Sequence, residues 1–183
     1  IHPDGQRLLV SGGREGAFTL SIEEVGTRRV LATRTDAQAR YGRFSPDGQT
    51  VVLTQTLSDG RGYDVSVVDA QTLEARAQFG SASFPSVLKR VNAVLLSTAE
   101  GVELRSTRDG SRMARMLVED EHGISISGLD EAYDGSCLAL AIPETLRVRL
   151  YRGTDLTFVH EADMEGFGSY AVLPACAGLV GQA

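Results

Sequence analysis

Three histidines, two cysteines and one dense run of carboxylates are the side chains of this 183-residue sequence best suited to chemistry. The histidines are His2, His122 and His160. A neutral imidazole can serve as a base or hold a metal, but either task needs partners at set spacings. Those partners are missing from the pattern. The sequence has no GxSxG elbow, no phosphate-binding P-loop, no HExxH and no glycine fingerprint between a strand and a helix. Cys137 and Cys176 lack a CxxC or a Cys/His cluster, so nothing supports a zinc site. Two cysteines make no disulfide framework, and both are expected to be reduced and too far apart to bridge. No catalytic residue, metal site or cofactor is assigned.

The carboxylate run is Glu119, Asp120 and Glu121, followed by His122. Two readings stand beside each other: a docking patch for a basic partner or a loose cation site, and a loop that its charges keep solvated. A calcium loop needs spaced oxygen ligands around a glycine bend, which VEDEHG does not offer. His2 lies in a turn motif and reads as structural. His160 closes a polar strand and reads as an exposed surface residue.

Net charge is −6 with a pI near 5.1. That argues against general nucleic-acid binding, which needs a basic face to displace counterions. Hydrophobic residues make up 42% and charged residues 23%, as in a soluble globular domain. No apolar run reaches the roughly 18 residues that would cross a bilayer. The opening IHPDGQRLLV is not a signal peptide. It begins inside a turn motif, so the chain is expected to be an excerpt of a longer one. The compartment is unassigned, the cytoplasm being favoured.

The elements that must position any site emerge from a repeat. HPDGQRLLVSG (2–12) and FSPDGQTVVLTQ (44–55) share PDGQ before an apolar run, with Asp4 and Asp47 43 residues apart. AYDGSCLALAI (132–142) places Asp134 two such steps further on, and LKRVNAVLLST (88–98) is a degraded copy between them. YAVLPACAGLV (170–180) is a last, partial copy. The Asp-Gly pairs therefore read as turn chemistry, with Asp bonding its own backbone and Gly taking positive φ. Asp109-Gly110 takes the same reading outside that register.

Each unit divides into four short strands. In the second these are RYGRFS (40–45), TVVLTQT (50–56), YDVSVVD (63–69) and ARAQF (75–79). The continuous apolar second strand is what burial on both faces demands, and the polar fourth suits an outer edge. No amphipathic helix of useful length appears. A four-stranded unit of 40–45 residues is the signature of a propeller blade. One such sheet cannot bury both faces alone, so blades must stack.

The stretch 44–79 resembles the repeats of the WD-repeat, YVTN and TolB-type propeller families, through its FSPDG turn, its second DG turn and VSVVDAQTLE. The sequence has no Trp, so Val68-Asp69 stands where a WD repeat has Trp-Asp, and His122-Gly123 reverses that family's Gly-His pair. The resemblance implies an all-β propeller arc of four-stranded antiparallel blades, three complete and two partial. The expected boundaries are 1–34 (partial), 38–80, 82–119, 122–163 and 167–183 (partial), an open arc rather than a closed four-blade ring.

In a propeller the loops joining second to third strands, and those joining successive blades, share one face. The pooled loops are rich in carboxylates with arginines interspersed. Arg14, Asp59, Arg61, Glu119, Asp120, Glu121 and His122 are the candidate partner-binding residues on that face. The expected function is a non-catalytic protein–protein interaction scaffold within a multi-subunit complex, without direct nucleic-acid contact or membrane insertion. The alternative is a ligand-binding or enzymatic propeller of lactonase, quinoprotein or peptidase-associated type, its active residues outside this segment.

Overall fold

The structure is a computed structural model that describes residues 1–14, 17–36, 40–98, 100–117, 128–142, 147–163 and 169–182. Strands β1 (Arg7–Arg14), β2 (Ala17–Glu24) and β3 (Val30–Asp36) form a three-stranded first sheet. The second sheet is β4 (Tyr41–Phe44), β5 (Thr50–Thr56), β6 (Tyr63–Asp69) and β7 (Ala75–Ala82). The third is β8 (Phe84–Val87), β9 (Ala93–Thr98), β10 (Gly101–Ser106) and β11 (Arg112–Leu117). The fourth is β12 (Gly128–Glu131), β13 (Cys137–Ile142), β14 (Arg147–Arg152) and β15 (Phe158–Asp163). A two-stranded sheet of β16 (Ser169–Val172) and β17 (Leu179–Gln182) follows, with the 3₁₀ turn η2 (Pro174–Cys176) between its strands. Every sheet is an antiparallel meander in chain order. The architecture is the all-β, propeller-type stack of four-stranded sheets that the repeat implies.

Burial explains why the second strands are continuously apolar. Val51 and Leu53 on β5 join Leu20, Ile22 and Phe44 in the core between the first two sheets. Val52, between them, turns the other way and packs with Val94 and Leu96 of the third sheet. Odd and even residues of one strand thus serve two different cores, because side chains alternate across a sheet. Val51, Leu53, Val94, Leu95, Leu138 and Leu140 have no exposed surface, and burying each contributes about 1.5–3 kcal/mol. The fourth strands β7, β11 and β15 are mostly exposed or half-buried.

The Asp-Gly turns are built as turn chemistry requires. The Gly48 N–H donates to the Ser45 carbonyl at 2.9 Å, and Asp47 Oδ1 accepts from the Gln49 N–H at 3.0 Å. Gly48 takes φ +70°, the region glycine enters without a Cβ penalty. Gly5 and Gly135 repeat that geometry at +71° and +73°. Asp109 likewise accepts from the Ser111 N–H at 3.1 Å.

These turns also join neighbouring sheets. His2 is buried against Phe44, ring centroids 4.9 Å apart and edge-on. Its Nε2 lies 2.9 Å from the Gly48 carbonyl oxygen, and its Nδ1 faces Asp4, 2.7 Å from Oδ1 and 3.1 Å from the backbone nitrogen. One seam on, the Asp47 N–H donates to Asn92 Oδ1 at 3.1 Å. The next is closed by Glu131, which accepts from the Lys89 and Arg90 N–H groups at 2.5 and 2.9 Å. At the last, the Ala175 N–H donates to Asp134 Oδ2 at 2.9 Å. One polar latch recurs at each seam with different chemistry.

One expectation needs correction. Cys137 and Cys176 are joined by a disulfide across 39 residues, their Cα atoms 5.4 Å apart. Sequence separation misled because η2 folds the last sheet back onto β13, within bridging reach. The join between the second and third units is itself mostly strand: β7 runs to Ala82, its pairing to β6 shifting between Gln78 and Gly80.

Candidate functional site

Hairpins that join second to third strands place the candidate binding residues. Arg14 ends β1, opposite Ala17 at the mouth of the β1–β2 hairpin, and is exposed. Asp59 and Arg61 lie on the β5–β6 turn, both exposed. That turn is fixed by its own bonds: the Gly60 N–H to the Leu57 carbonyl at 2.9 Å, and the Arg61 N–H to Asp59 Oδ1 at 2.9 Å. One Asp59 oxygen is therefore spent on shaping the turn. The topology sets both hairpins at the same end of neighbouring sheets, and among the described residues no ion pair joins Arg14 to Asp59. Glu119, Asp120, Glu121 and His122 lie outside the described residues.

His160 sits on β15, exposed, across from Leu150. His2 is committed to the seam described above. Among the described residues, no three His, Cys, Asp or Glu side chains gather into a group able to hold a metal.

The outer half of each seam carries charges that motif reading missed. Ser66, Glu103 and Arg149 occupy the same register position on β6, β10 and β14, opposite Leu53, Leu96 and Leu140. Glu103 is buried, with Arg105 at 2.6 Å, Arg112 at 3.5 Å and Arg115 at 3.7 Å from its carboxylate. A carboxylate so deep would be costly without such partners. On the fourth sheet Arg149 meets Glu161 at 2.5 Å, and Arg147 also pairs with that carboxylate. Arg149 and then Arg147 hold Glu161 below the usual carboxylate range. Burial pushes the Tyr151 phenol up. Aligning the repeats by register would have exposed this polar column inside otherwise apolar third strands.

A second feature without a sequence motif is a groove of about 330 Å³ between the first strands of the second and third sheets. Tyr41 and Arg43 of β4 line one side, with Thr54 of β5; Pro85, Ser86 and Val87 of β8 line the other.

Comparison with known proteins bears on the fold. No protein-family model matches the chain, and no curated protein matches it in sequence. Solved structures do. The C-terminal WD40 domain of Sif2 is similar at TM-score 0.59 and 13% identity, over 90% of this chain and 47% of that one. Dihydro-heme d1 dehydrogenase NirN, in complex with DHE, is similar at 0.68 and 18%, over 98% of this chain and 39% of that one. The Cps50 (Swd1) β-propeller domain of Myceliophteria thermophila is similar at 0.63 and 11%, over 100% and 60%. The fold is that of WD40 and other β-propeller domains. The chain spans about two-fifths to three-fifths of these relatives' lengths.

Proposed function

We propose that this protein is a non-catalytic protein–protein interaction scaffold, a propeller segment that offers the hairpin end of its sheets to a protein partner within a larger assembly. The supporting observation is that end itself: Arg14, Asp59 and Arg61 are exposed there, and the β5–β6 turn that carries Asp59 and Arg61 is fixed by its own short-range bonds. A rigid, charged, loop-built surface on a stacked scaffold suits recognition by complementary charge, which sets specificity and association rate. Glu119, Asp120, Glu121 and His122 belong to the same proposed face through the repeat. The units 1–34, 38–80, 82–119, 122–163 and 167–183 are its proposed blades, and the arc is proposed as part of a larger ring. Membrane insertion plays no part in this reading; among the described residues no helix is long and apolar enough to cross a bilayer. The Cys137–Cys176 bridge favours an oxidising compartment over the cytoplasm.

The test is affinity capture with the full-length protein and with a variant carrying Arg14→Glu, Asp59→Arg and Arg61→Glu. A stoichiometric partner held by the parent and released by the variant is the expected result. Recovery of the monomer alone across salt concentrations would overturn the proposal.

A second reading is a ligand-binding or enzymatic propeller, with reacting groups outside this segment. Its specific support is the likeness to the NirN dehydrogenase, whose fold runs alongside 98% of this chain. Ligand-dependent stabilisation of the full-length protein, without a protein partner, would favour it.

A further inference from the structure

The groove between β4 and β8 has polar groups that the fold leaves unused. Alternation along β4 turns Gly42 and Phe44 toward the first sheet, where Gly42 lies against Leu9 and Phe44 joins the core. Tyr41 and Arg43 therefore share the opposite face, beside Thr54 and facing Pro85 and Val87. Tyr41 is 70% exposed, and Arg43 is exposed as well. Among the described residues, the side chains of Tyr41, Arg43, Thr54 and Ser86 form no hydrogen bond or ion pair within the protein. Several other arginines on this fold are matched to carboxylates: Arg105 to Glu103, Arg76 to Asp69 and Arg149 to Glu161.

Among the described residues, Arg43 is the only formally charged side chain lining the groove, so the local field favours an anion. Its guanidinium is a planar fork of donors matched to the two oxygens of a carboxylate. The hydroxyl of Thr54, directly across from Tyr41 on β5, can donate to the same group. The ring of Tyr41 and the side chains of Pro85 and Val87 supply an apolar wall. The volume lies at the small end of the range for ligand sites.

We propose that this groove binds a small aromatic carboxylate. Its carboxylate rests on Arg43 with the Thr54 hydroxyl, and its ring lies against Tyr41 and Pro85. Aromatic stacking on Tyr41 adds to the anion contact.

Benzoate is the probe, titrated into the isotopically labelled protein and followed by amide and arginine side-chain NMR. Saturable shifts confined to β4, β5 and β8 are expected, with benzylamine giving none there. Arg43→Gln should weaken benzoate binding about tenfold or more, the usual loss for a charge-assisted contact, and Tyr41→Ala should weaken it too. Arg43 is exposed and has no partner to lose, so the thermal midpoint of Arg43→Gln should match the parent's and certify its fold. Non-saturable shifts, equal binding of benzylamine, or undiminished benzoate affinity in a folded Arg43→Gln protein would each overturn the proposal.

Discussion

Cys137, fully buried at the start of β13, is covalently joined to Cys176, which ends η2 on the far side of the last seam. The bridge ties the two-stranded sheet β16–β17 to a complete four-stranded one. An isolated hairpin is marginal in water, so this sheet depends on what holds it. Val172 and Leu179 pack against Ala139 and Leu150, and the disulfide removes freedom from the unfolded chain.

Closing a loop of 39 residues is worth about 3–4 kcal/mol on the chain-entropy model. Replacing both cysteines by alanine should lower stability by that order, and the reductant sensitivity of the parent's urea midpoint should vanish. A thiol assay on the unreduced, unfolded protein should find no free cysteine. A full complement of thiols there would remove the disulfide from this account.

Asp4 should give the first seam a distinct acid sensitivity. The Gln6 backbone N–H, with His2 and Arg7, holds its carboxyl down from 3.8 to about 2. A depressed folded pKa stabilises fully above the unfolded value and is lost as pH falls through the folded one. The contribution is therefore complete above pH 3.8 and disappears toward about pH 2. Asp4→Asn should flatten the fall of the urea midpoint across that window, measured against the parent. An unchanged slope would count against this role.

Gly42 is required by space. Its φ is not in the left-handed region, yet an added Cβ would collide with Leu9 of the first sheet and Leu53 of its own. Gly42→Ala should destabilise by about 1 kcal/mol, the low end for overpacking, because the half-buried Leu9 side chain can give way. Pairing it with Leu9→Ala should recover part of that loss, and double-mutant denaturation measures the coupling.

Glu131 closes the third seam by accepting two backbone N–H groups, those of Lys89 and Arg90. Glu131→Ala should cost about 0.5–1.5 kcal/mol, because both donors are exposed and water takes up part of the lost bonding. Hydrogen exchange of those two amides should quicken in the variant. Unchanged exchange would show that water replaces the carboxylate at no cost.

The repeat was legible because local chemistry and global fold agree in it. The PDGQ turns, the apolar second strands and the polar fourth strands are each dictated within a few residues, and the structure keeps all three. Of the candidate binding residues, Arg14, Asp59 and Arg61 fall on exposed hairpins, as the order of strands demanded. The Tyr41–Arg43 groove was invisible in sequence because it forms from strands more than 40 residues apart with no shared motif.

By itself, the sequence determined the strands, their turns and the need for sheets to stack, since alternation and turn propensity are properties of neighbours along the chain. Only the tertiary structure decided how the seams close. His2 finding Gly48, Glu131 finding Lys89 and Arg90, and Cys137 finding Cys176 are meetings between sheets. The apolar period that stacks the sheets is indifferent to which polar side chain crosses each gap. Close approach and exclusion of water make that choice, and they exist only once the sheets are assembled.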